Sequence, residues 1–97
     1  MKKGYWVITA RAIPDESTLK AYGPLALAAV QAFGGRFLTR LASRVEAHEA
    51  GLPLPAVVVE FDSFDNALAA HKSEAYQQAL QAFGSAAERD FRILEGV

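Results

Sequence analysis

The chain contains no cysteine, which excludes disulfide bonds, thiolate catalysis and cysteine-ligated zinc. It also lacks an excess of positive charge, because 10 basic and 11 acidic residues leave a formal net charge of -1. Nucleic acids and anionic membranes attract proteins through a basic field, so neither is an expected partner. No apolar run approaches the ~20 residues of a membrane span, and none near the N-terminus has signal-peptide length. We therefore expect a soluble cytoplasmic protein.

The 97 residues are enough for a single domain with a modest core, and we expect one domain over residues 1–97. The tetrapeptide Gln31–Gly34 recurs fifty residues later as Gln81–Gly84, and the same offset aligns 5–11 with 55–61. Each half then has the order strand, helix, strand. The sequence thus predicts two βαβ units of similar plan.

Five segments have strand-like composition or alternation. Aromatic and β-branched residues predict strands at 5–10 and 56–61, and the apolar run of the latter indicates a central position. Alternation predicts a strand at 36–41, with an extension or hairpin arm at 43–49. The last strand is predicted at 89–95.

The first helix is predicted to begin at residues 14–16, where a proline precedes two acidic residues, and to end at the glycines 34–35. Pro24 is expected to kink or split it near Gly23. Apolar residues at helical spacing predict a core-facing stripe made of Leu19, Tyr22, Ala26, Val30 and Phe33.

In the second half, Asp62 or Ser63 is expected to cap a helix that breaks at residues 72–73. Ser73 then caps a further helical segment. Two βαβ units of this size predict an α+β, ferredoxin-like βαββαβ antiparallel sheet with its helices on one face.

The alternation of the first strand places Tyr5 and Val7 on one face of the sheet and Trp6 and Ile8 on the other. Helices on one face leave the second apolar face open, on a scale that is typical of an interface. We expect a homodimer in which two copies pack sheet to sheet about a two-fold axis.

Several short segments, in this order and spacing, are typical of one family. They are Gly4-Tyr5-Trp6, Tyr22, Gly34-Gly35-Arg36-Phe37-Leu38 with Arg40, Glu60-Phe61-Asp62-Ser63-Phe64, Ser73 with Tyr76-Gln77, and Glu95-Gly96-Val97. Through them the chain resembles the family known as domain of unknown function 1330, a branch of the dimeric α/β-barrel superfamily. The resemblance covers nearly the whole chain and implies a dimeric α/β barrel with no established activity.

The predicted sheet carries a set of charged candidates for a ligand site. Alternation places Arg36 and Arg40 on one side of the second strand, and Glu60 and Arg92 are expected to share that side. Guanidinium groups bind carboxylates through a planar fork, so the cluster predicts an anion site, with Glu60 as a candidate catalytic carboxylate. Ion pairs at the dimer interface or at exposed strand ends explain the same residues.

Four further side chains are candidates for a pocket. His71 titrates near neutral pH and is the candidate general base, although a capping role at a helix end is an alternative. Tyr22 and Tyr76 can bind a substrate oxygen or be plain core residues, and Trp6 can stack on a flat ring or pack under a helix.

Other kinds of site have weak support. Glu46 and His48 would share a strand face, but two ligands without a third make a poor metal site, so we predict no metal. Glycines 34–35 follow a helix instead of leading into one, so they form no phosphate loop. No axial haem ligand is evident, and we predict no cofactor. The strand at 56–61 has no basic residue, which argues against RNA binding.

Two hypotheses follow. In the first, the protein is a small-molecule enzyme of the cofactor-independent oxygenase, isomerase or cyclase type, acting on an aromatic or carboxylate-bearing molecule. In the second, it is a non-catalytic ligand-binding or regulatory homodimer. An enzyme requires that His71 or a carboxylate with a perturbed pKa lines a pocket with Tyr22 or Tyr76. A binding module requires a pocket with arginines and aromatic rings and no titrating group in reach.

Overall fold

The computed structural model describes residues 1–85 and 88–97. Its elements are β1 (Gly4–Ala10), α1 (Glu16–Ala32), β2 (Arg36–Phe37), β3 (Ala56–Phe61), α2 (Phe64–Lys72), α3 (Glu74–Phe83) and β4 (Arg89–Glu95). The order strand, helix, strand is therefore confirmed in both halves, with the second helical segment divided into two. None of the three helices in the described ranges has both the length and the apolarity to cross a membrane.

The four strands form one antiparallel sheet in the order β2-β3-β1-β4. The central position expected for the strand at 56–61 is confirmed, because β3 lies between β1 and β2. Trp6 pairs with Val59 on one side and with Ile93 on the other. This register aligns apolar residues of the three longest strands on the face that the helices cover. The fold is α+β and ferredoxin-like.

The core lies between that face and the three helices. Trp6 and Phe61 are almost completely buried there, together with Val30 of α1 and Tyr76 of α3. Tyr5 and Val7 point to the other face, so the predicted division of β1 between the two faces is confirmed. No element of the described ranges packs over that second face as a layer.

Helix α1 begins where the sequence predicts and ends at Ala32, just before the predicted glycines. Asp15 caps it, because its carboxylate accepts a hydrogen bond from the Thr18 amide at 2.8 Å. Of the kink or split expected near Gly23, the split does not occur, since α1 is continuous from Glu16 to Ala32. Pro24 lies on the exposed side, where water can satisfy the carbonyl that loses its partner, while Ala26, Ala29 and Val30 anchor the next turn.

The second strand is much shorter than the alternation predicts, since β2 comprises only Arg36 and Phe37. Beyond it the amides of Leu38 and Thr39 both approach the carbonyl of Val58. The Thr39 hydroxyl accepts from the Val58 amide at 2.9 Å and donates to the Ala56 carbonyl at 3.2 Å. A side chain thus replaces the regular strand pairing, and the alternation of faces stops there.

The segment at 43–49 is neither a strand extension nor a hairpin arm, because residues 38–55 form turns and irregular structure. It has no strand to pair with once β2 has ended. In the second half, Ser63 caps α2, and Ser73 both ends α2 and caps α3, as the sequence predicts. This double cap places Tyr76 in the first turn of α3, on the side that faces α1.

Candidate functional site

A pocket of about 240 Å³ lies between α1 and the helix-covered face of the sheet. Its walls are largely apolar, and polar groups are confined to a few positions. Trp6, Ile8 and Val57 of the sheet form one wall, and Tyr22, Ala26 and Val30 of α1 form the other. Around the mouth lie Phe37, Arg40, Leu41, Phe83, Glu88 and Arg89. This cavity is the most site-like feature of the described chain.

Trp6 is held rigidly at the inner wall of the pocket. Its indole nitrogen donates a hydrogen bond to the Ala67 carbonyl at 2.9 Å, and only 1% of the residue is exposed. Its ring centroid lies 5.1 Å from that of Phe61 and 4.8 Å from that of Tyr76. The indole is therefore an ordered flat surface, suited to contact with an apolar or aromatic molecule.

Two tyrosines and an arginine form a polar cluster beside the pocket. The hydroxyls of Tyr22 and Tyr76 are 2.7 Å apart. The Arg89 guanidinium donates to Tyr22 at 3.1 Å and to Tyr76 at 3.0 Å. Tyr22 lines the pocket, whereas Tyr76 is fully buried and does not. Of these three residues, Tyr22 and Arg89 line the pocket.

Aromatic rings hold the Arg89 guanidinium in place. Its central carbon lies 4.2 Å from the ring centroid of Phe83, 4.9 Å from that of Tyr22 and 5.5 Å from that of Phe91. Burial raises the pKa of Tyr76, and the neighbouring Tyr22 raises it further against the opposing effect of Arg89. Tyr76 therefore remains a neutral hydrogen-bonding group at physiological pH.

The prediction that Arg36 and Arg40 lie on the same side of the second strand was wrong, because the structure places them on opposite sides of the sheet. Arg40 lies at the mouth of the pocket, on the helix-covered side. Arg36 lies opposite Glu60 on the open side. The prediction assumed that alternation continues to residue 41, but β2 ends at Phe37. Within residues 1–85 and 88–97, Arg40 and Arg89 form no ion pair.

Glu60 and Arg36 belong to a polar network on the open face. Glu60 accepts hydrogen bonds from the Tyr5 hydroxyl at 2.9 Å and from Arg36 Nε at 2.8 Å. These two bonds lower the pKa of Glu60, and the bond to Glu60 raises the pKa of Tyr5. Arg36 also binds Asp62 at 3.2 Å. The predicted anion site is thus occupied by the chain's own carboxylates, away from the pocket.

His71, the predicted general base, does not line the pocket. Its ring packs near three aromatic rings, with centroid distances of 6.1 Å to Trp6, 5.3 Å to Tyr76 and 5.0 Å to Phe91. Burial lowers the pKa of His71, and the positive charge of Arg89 lowers it further. His71 therefore lies next to Trp6 of the pocket wall without itself lining the pocket.

The remaining charged candidates lie elsewhere. Arg92 is on the open face beside Val7, and it binds Asp90 through two hydrogen bonds of 2.9 and 3.1 Å. Glu46 and His48 form an exposed pair with 2.6 Å between their side-chain atoms. Neither pair contributes to the pocket at the first helix.

Sequence reasoning missed Arg89, which was identified only as the start of the last strand. The signal was available in the alternation of β4, where Arg89, Phe91 and Ile93 share one face. An arginine on the core-facing side of a strand requires partners, and the tyrosine hydroxyls and aromatic rings are those partners.

Solved structures with the same fold include proteins from three bacteria. A Rhodopseudomonas palustris protein of unknown function has 15% identity and a TM-score of 0.69, and the match covers 99% of this chain and 83% of that one. A putative antibiotic biosynthesis monooxygenase from Caulobacter crescentus has 14% identity and a TM-score of 0.60, with 99% and 91% covered. A dimeric ferredoxin-like protein of unknown function from Thermobifida fusca has 14% identity and a TM-score of 0.52, with 97% and 91% covered.

At these identities the likeness shows the fold alone. No curated protein matches the chain. The family described as "Domain of unknown function (DUF1330)" matches residues 3–97, in agreement with the resemblance in the sequence. The chain therefore belongs to the DUF1330 family.

Proposed function

We propose that this protein binds a small, flat, largely apolar molecule that carries a carboxylate, in the pocket between α1 and the sheet. The observation that carries the proposal is an apolar cavity against the ordered Trp6 ring, with two arginines at its mouth. Neither Arg40 nor Arg89 is neutralised by a carboxylate of the described residues. A ligand carboxylate supplies the missing charge.

The volume of the pocket limits the size of the ligand. An apolar cavity of roughly 150 Å³ can hold benzene. The pocket here has about 240 Å³ and opens at the mouth, so a molecule of one or two rings fits it. Its polar groups are few and lie at one end, which is the usual arrangement of a small-molecule site that orients its ligand.

Binding without turnover agrees better with this geometry than catalysis does. The two predicted catalytic groups, His71 and Glu60, lie outside the pocket, and Glu60 is on the opposite face of the sheet. The carboxylate that does line the pocket, Glu88, is exposed at its mouth. The rest of the lining consists of apolar side chains, aromatic rings among them, with Arg40 and Arg89, which is the pattern expected of a binding module.

The proposal is tested by isothermal titration calorimetry with 2-naphthoate and its neutral isostere 2-naphthamide. We expect the wild type to bind the carboxylate several-fold more tightly than the amide. Arg40→Gln should remove about 1 kcal/mol of that preference, because an exposed charge contributes modestly to binding. The preference should also weaken as ionic strength rises.

Arg44→Gln is the matched control, since Arg44 is an exposed arginine four positions away that does not line the pocket. It removes the same charge from the same irregular segment. If the two variants lost the carboxylate preference equally, the preference would come from the net charge of the protein and not from Arg40. Equal affinities of the wild type for the carboxylate and the amide would contradict the proposal.

We further propose that the protein is a homodimer formed through the open face of the sheet. The register places Tyr5, Val7 and Val58 at the centre of that face, with Leu94 beside them and 48% exposed. The charges at its borders pair within the chain, Arg36 with Glu60 and Arg92 with Asp90. A second copy can therefore cover the apolar centre without leaving a buried charge unpaired. The Thermobifida fusca protein of similar fold is described as dimeric, which supports a dimer but does not bear on which face forms it.

A further inference from the structure

The hydrogen positions of the tyrosine pair follow from the partners of its two hydroxyls. Each hydroxyl has one hydrogen to donate and two lone pairs that accept. Arg89 has no acceptor, so it fills one lone pair on Tyr22 and one on Tyr76. The contact of 2.7 Å between the hydroxyls needs one further hydrogen, from either tyrosine.

Burial decides which tyrosine donates. Tyr76 is 0% exposed. Among the described residues, the acceptor within reach of its hydroxyl hydrogen is the hydroxyl oxygen of Tyr22. If Tyr22 donated, the hydrogen of Tyr76 would be buried without an acceptor, at the cost of an unmade hydrogen bond. If Tyr76 donates, its hydroxyl hydrogen is bonded to Tyr22 and its hydroxyl oxygen accepts from Arg89, so the buried hydroxyl is satisfied. The second arrangement is therefore favoured.

In that arrangement both lone pairs of Tyr22 are filled, one by a cationic donor and one by Tyr76. The Tyr22 hydroxyl then has no capacity to accept and one hydrogen to give. Tyr22 is half-buried and lines the pocket, whereas Tyr76 lies behind it. The cluster therefore leaves this hydrogen unused, on the tyrosine of the pair that lines the pocket.

We infer that Tyr22 is the specificity-determining residue of the pocket, a pure hydrogen-bond donor that selects ligands with an acceptor oxygen beside the ring. This inference rests on the proposed function and narrows it. A carboxylate or carbonyl oxygen meets the requirement, while a hydrocarbon or a group that only donates does not. Arg40 selects the ligand by its negative charge, and Tyr22 selects it by an oxygen that accepts a hydrogen bond.

The test uses two neutral ligands of one shape, so that Tyr22 is separated from the arginines. 2-Acetylnaphthalene has a carbonyl oxygen where 2-isopropenylnaphthalene has a methylene group. Their dissociation constants are measured by NMR titration on the wild type, Tyr22→Phe and Tyr76→Phe. We expect the wild type to prefer the ketone about tenfold, the value of one hydrogen bond.

The two variants should differ in their preference for the ketone over the alkene. Tyr22→Phe keeps the ring and removes the donor, so the ketone and the alkene should bind equally. Tyr76→Phe leaves the Tyr22 hydrogen directed at the ligand, so the preference for the ketone should persist. Circular dichroism and thermal unfolding verify that both variants are folded; if Tyr22→Phe is not, Tyr76→Phe compared with the wild type still decides the direction of the hydrogen bond.

A wild type without preference, in which a preference appears only on Tyr76→Phe, would show that Tyr22 donates to Tyr76 and would overturn the inference. A preference that survives Tyr22→Phe would also overturn it. If 2-naphthoate binds while the ketone and alkene bind equally to the wild type, only the role of Tyr22 falls. If none of the three ligands binds, the proposed function falls with it.

Discussion

His71 shows how a single residue changes its role when the sequence is folded. Its pKa lies below the ordinary 6.5, because burial and the charge of Arg89 disfavour the imidazolium. In the unfolded chain the ring has its ordinary pKa. As the pH falls through 6.5, the unfolded chain therefore binds a proton at His71 before the folded protein does. The free energy of unfolding therefore decreases from that pH down to the lower pKa of the folded protein, below which the loss is complete.

His71→Gln should remove this part of the pH dependence. Denaturant unfolding of the wild type and the variant, followed by the fluorescence of the buried Trp6, is compared at about pH 7.5 and about pH 5.5. We expect the wild type to lose more stability than His71→Gln between the two pH values. The carboxylates with lowered pKa, such as Glu60 and Asp62, contribute mainly at lower pH.

His48→Gln is the control, since His48 is an exposed histidine in the irregular segment. It should follow the wild type at both pH values. A decline of equal size in the wild type and in His71→Gln would mean that His71 does not carry the effect.

The residues of the site were predictable in part. Trp6, Tyr22 and Arg40 were identified from the sequence, and the structure brings all three to one pocket. The involvement of Arg89 was not predicted, since it depends on the contact of α1 with α3 across the start of β4. Local periodicity indicates which face a residue occupies, but not which distant elements meet there.

At the scale of elements, the repeated tetrapeptide is explained by helix ends. Gly34 follows α1 and Gly84 follows α3, with φ of 72° and 61°, values that favour glycine. The repeat therefore marks a common way to end a helix, and the end that the sequence predicts for α1 is confirmed. The length of β2 was not predictable from alternation, because a threonine hydroxyl ends the pairing.

Ser73 joins α2 to α3, and its loss should affect both helices. Its hydroxyl donates to the Ala70 carbonyl at 2.7 Å and accepts from the Tyr76 amide at 3.2 Å. Ser73→Ala should lower the free energy of unfolding by about 1–2 kcal/mol, as the loss of a helix cap does. Denaturant unfolding measures the change.

Ser17→Ala is the matched control for Ser73. Ser17 is exposed in the first turn of α1, and its hydroxyl binds only Asp15 among the described contacts, at 3.1 Å. The control should stay within about 0.5 kcal/mol of the wild type. Equal losses in the two variants would contradict the capping role of Ser73.

At the scale of the whole molecule, the two faces of the sheet have different tasks. The helix-covered face contains the core and the pocket, and the open face presents apolar side chains to the proposed second copy. The division of β1 between the faces was predictable, because strand alternation depends only on the backbone. The location of a cavity was not, since it depends on how completely side chains of several elements fill the space between them.

Leu94→Arg should weaken the homodimer at least tenfold, because it places an unpaired charge beside the apolar centre of the proposed interface. Analytical ultracentrifugation over a range of concentrations measures the effect. Leu27→Arg is the control, since Leu27 is 43% exposed on α1 and Leu94 is 48% exposed on the sheet. A wild type that stays monomeric at all concentrations, or equal weakening by both variants, would contradict the proposed interface.

The most direct test of the central claim is a crystal structure of the protein with 2-naphthoate bound. We predict that the naphthalene ring lies against Trp6, with its carboxylate within hydrogen-bonding distance of Arg40 and the Tyr22 hydroxyl. Naphthoate bound on the open face, or an empty pocket in crystals saturated with the ligand, would contradict the claim that this pocket is the functional site.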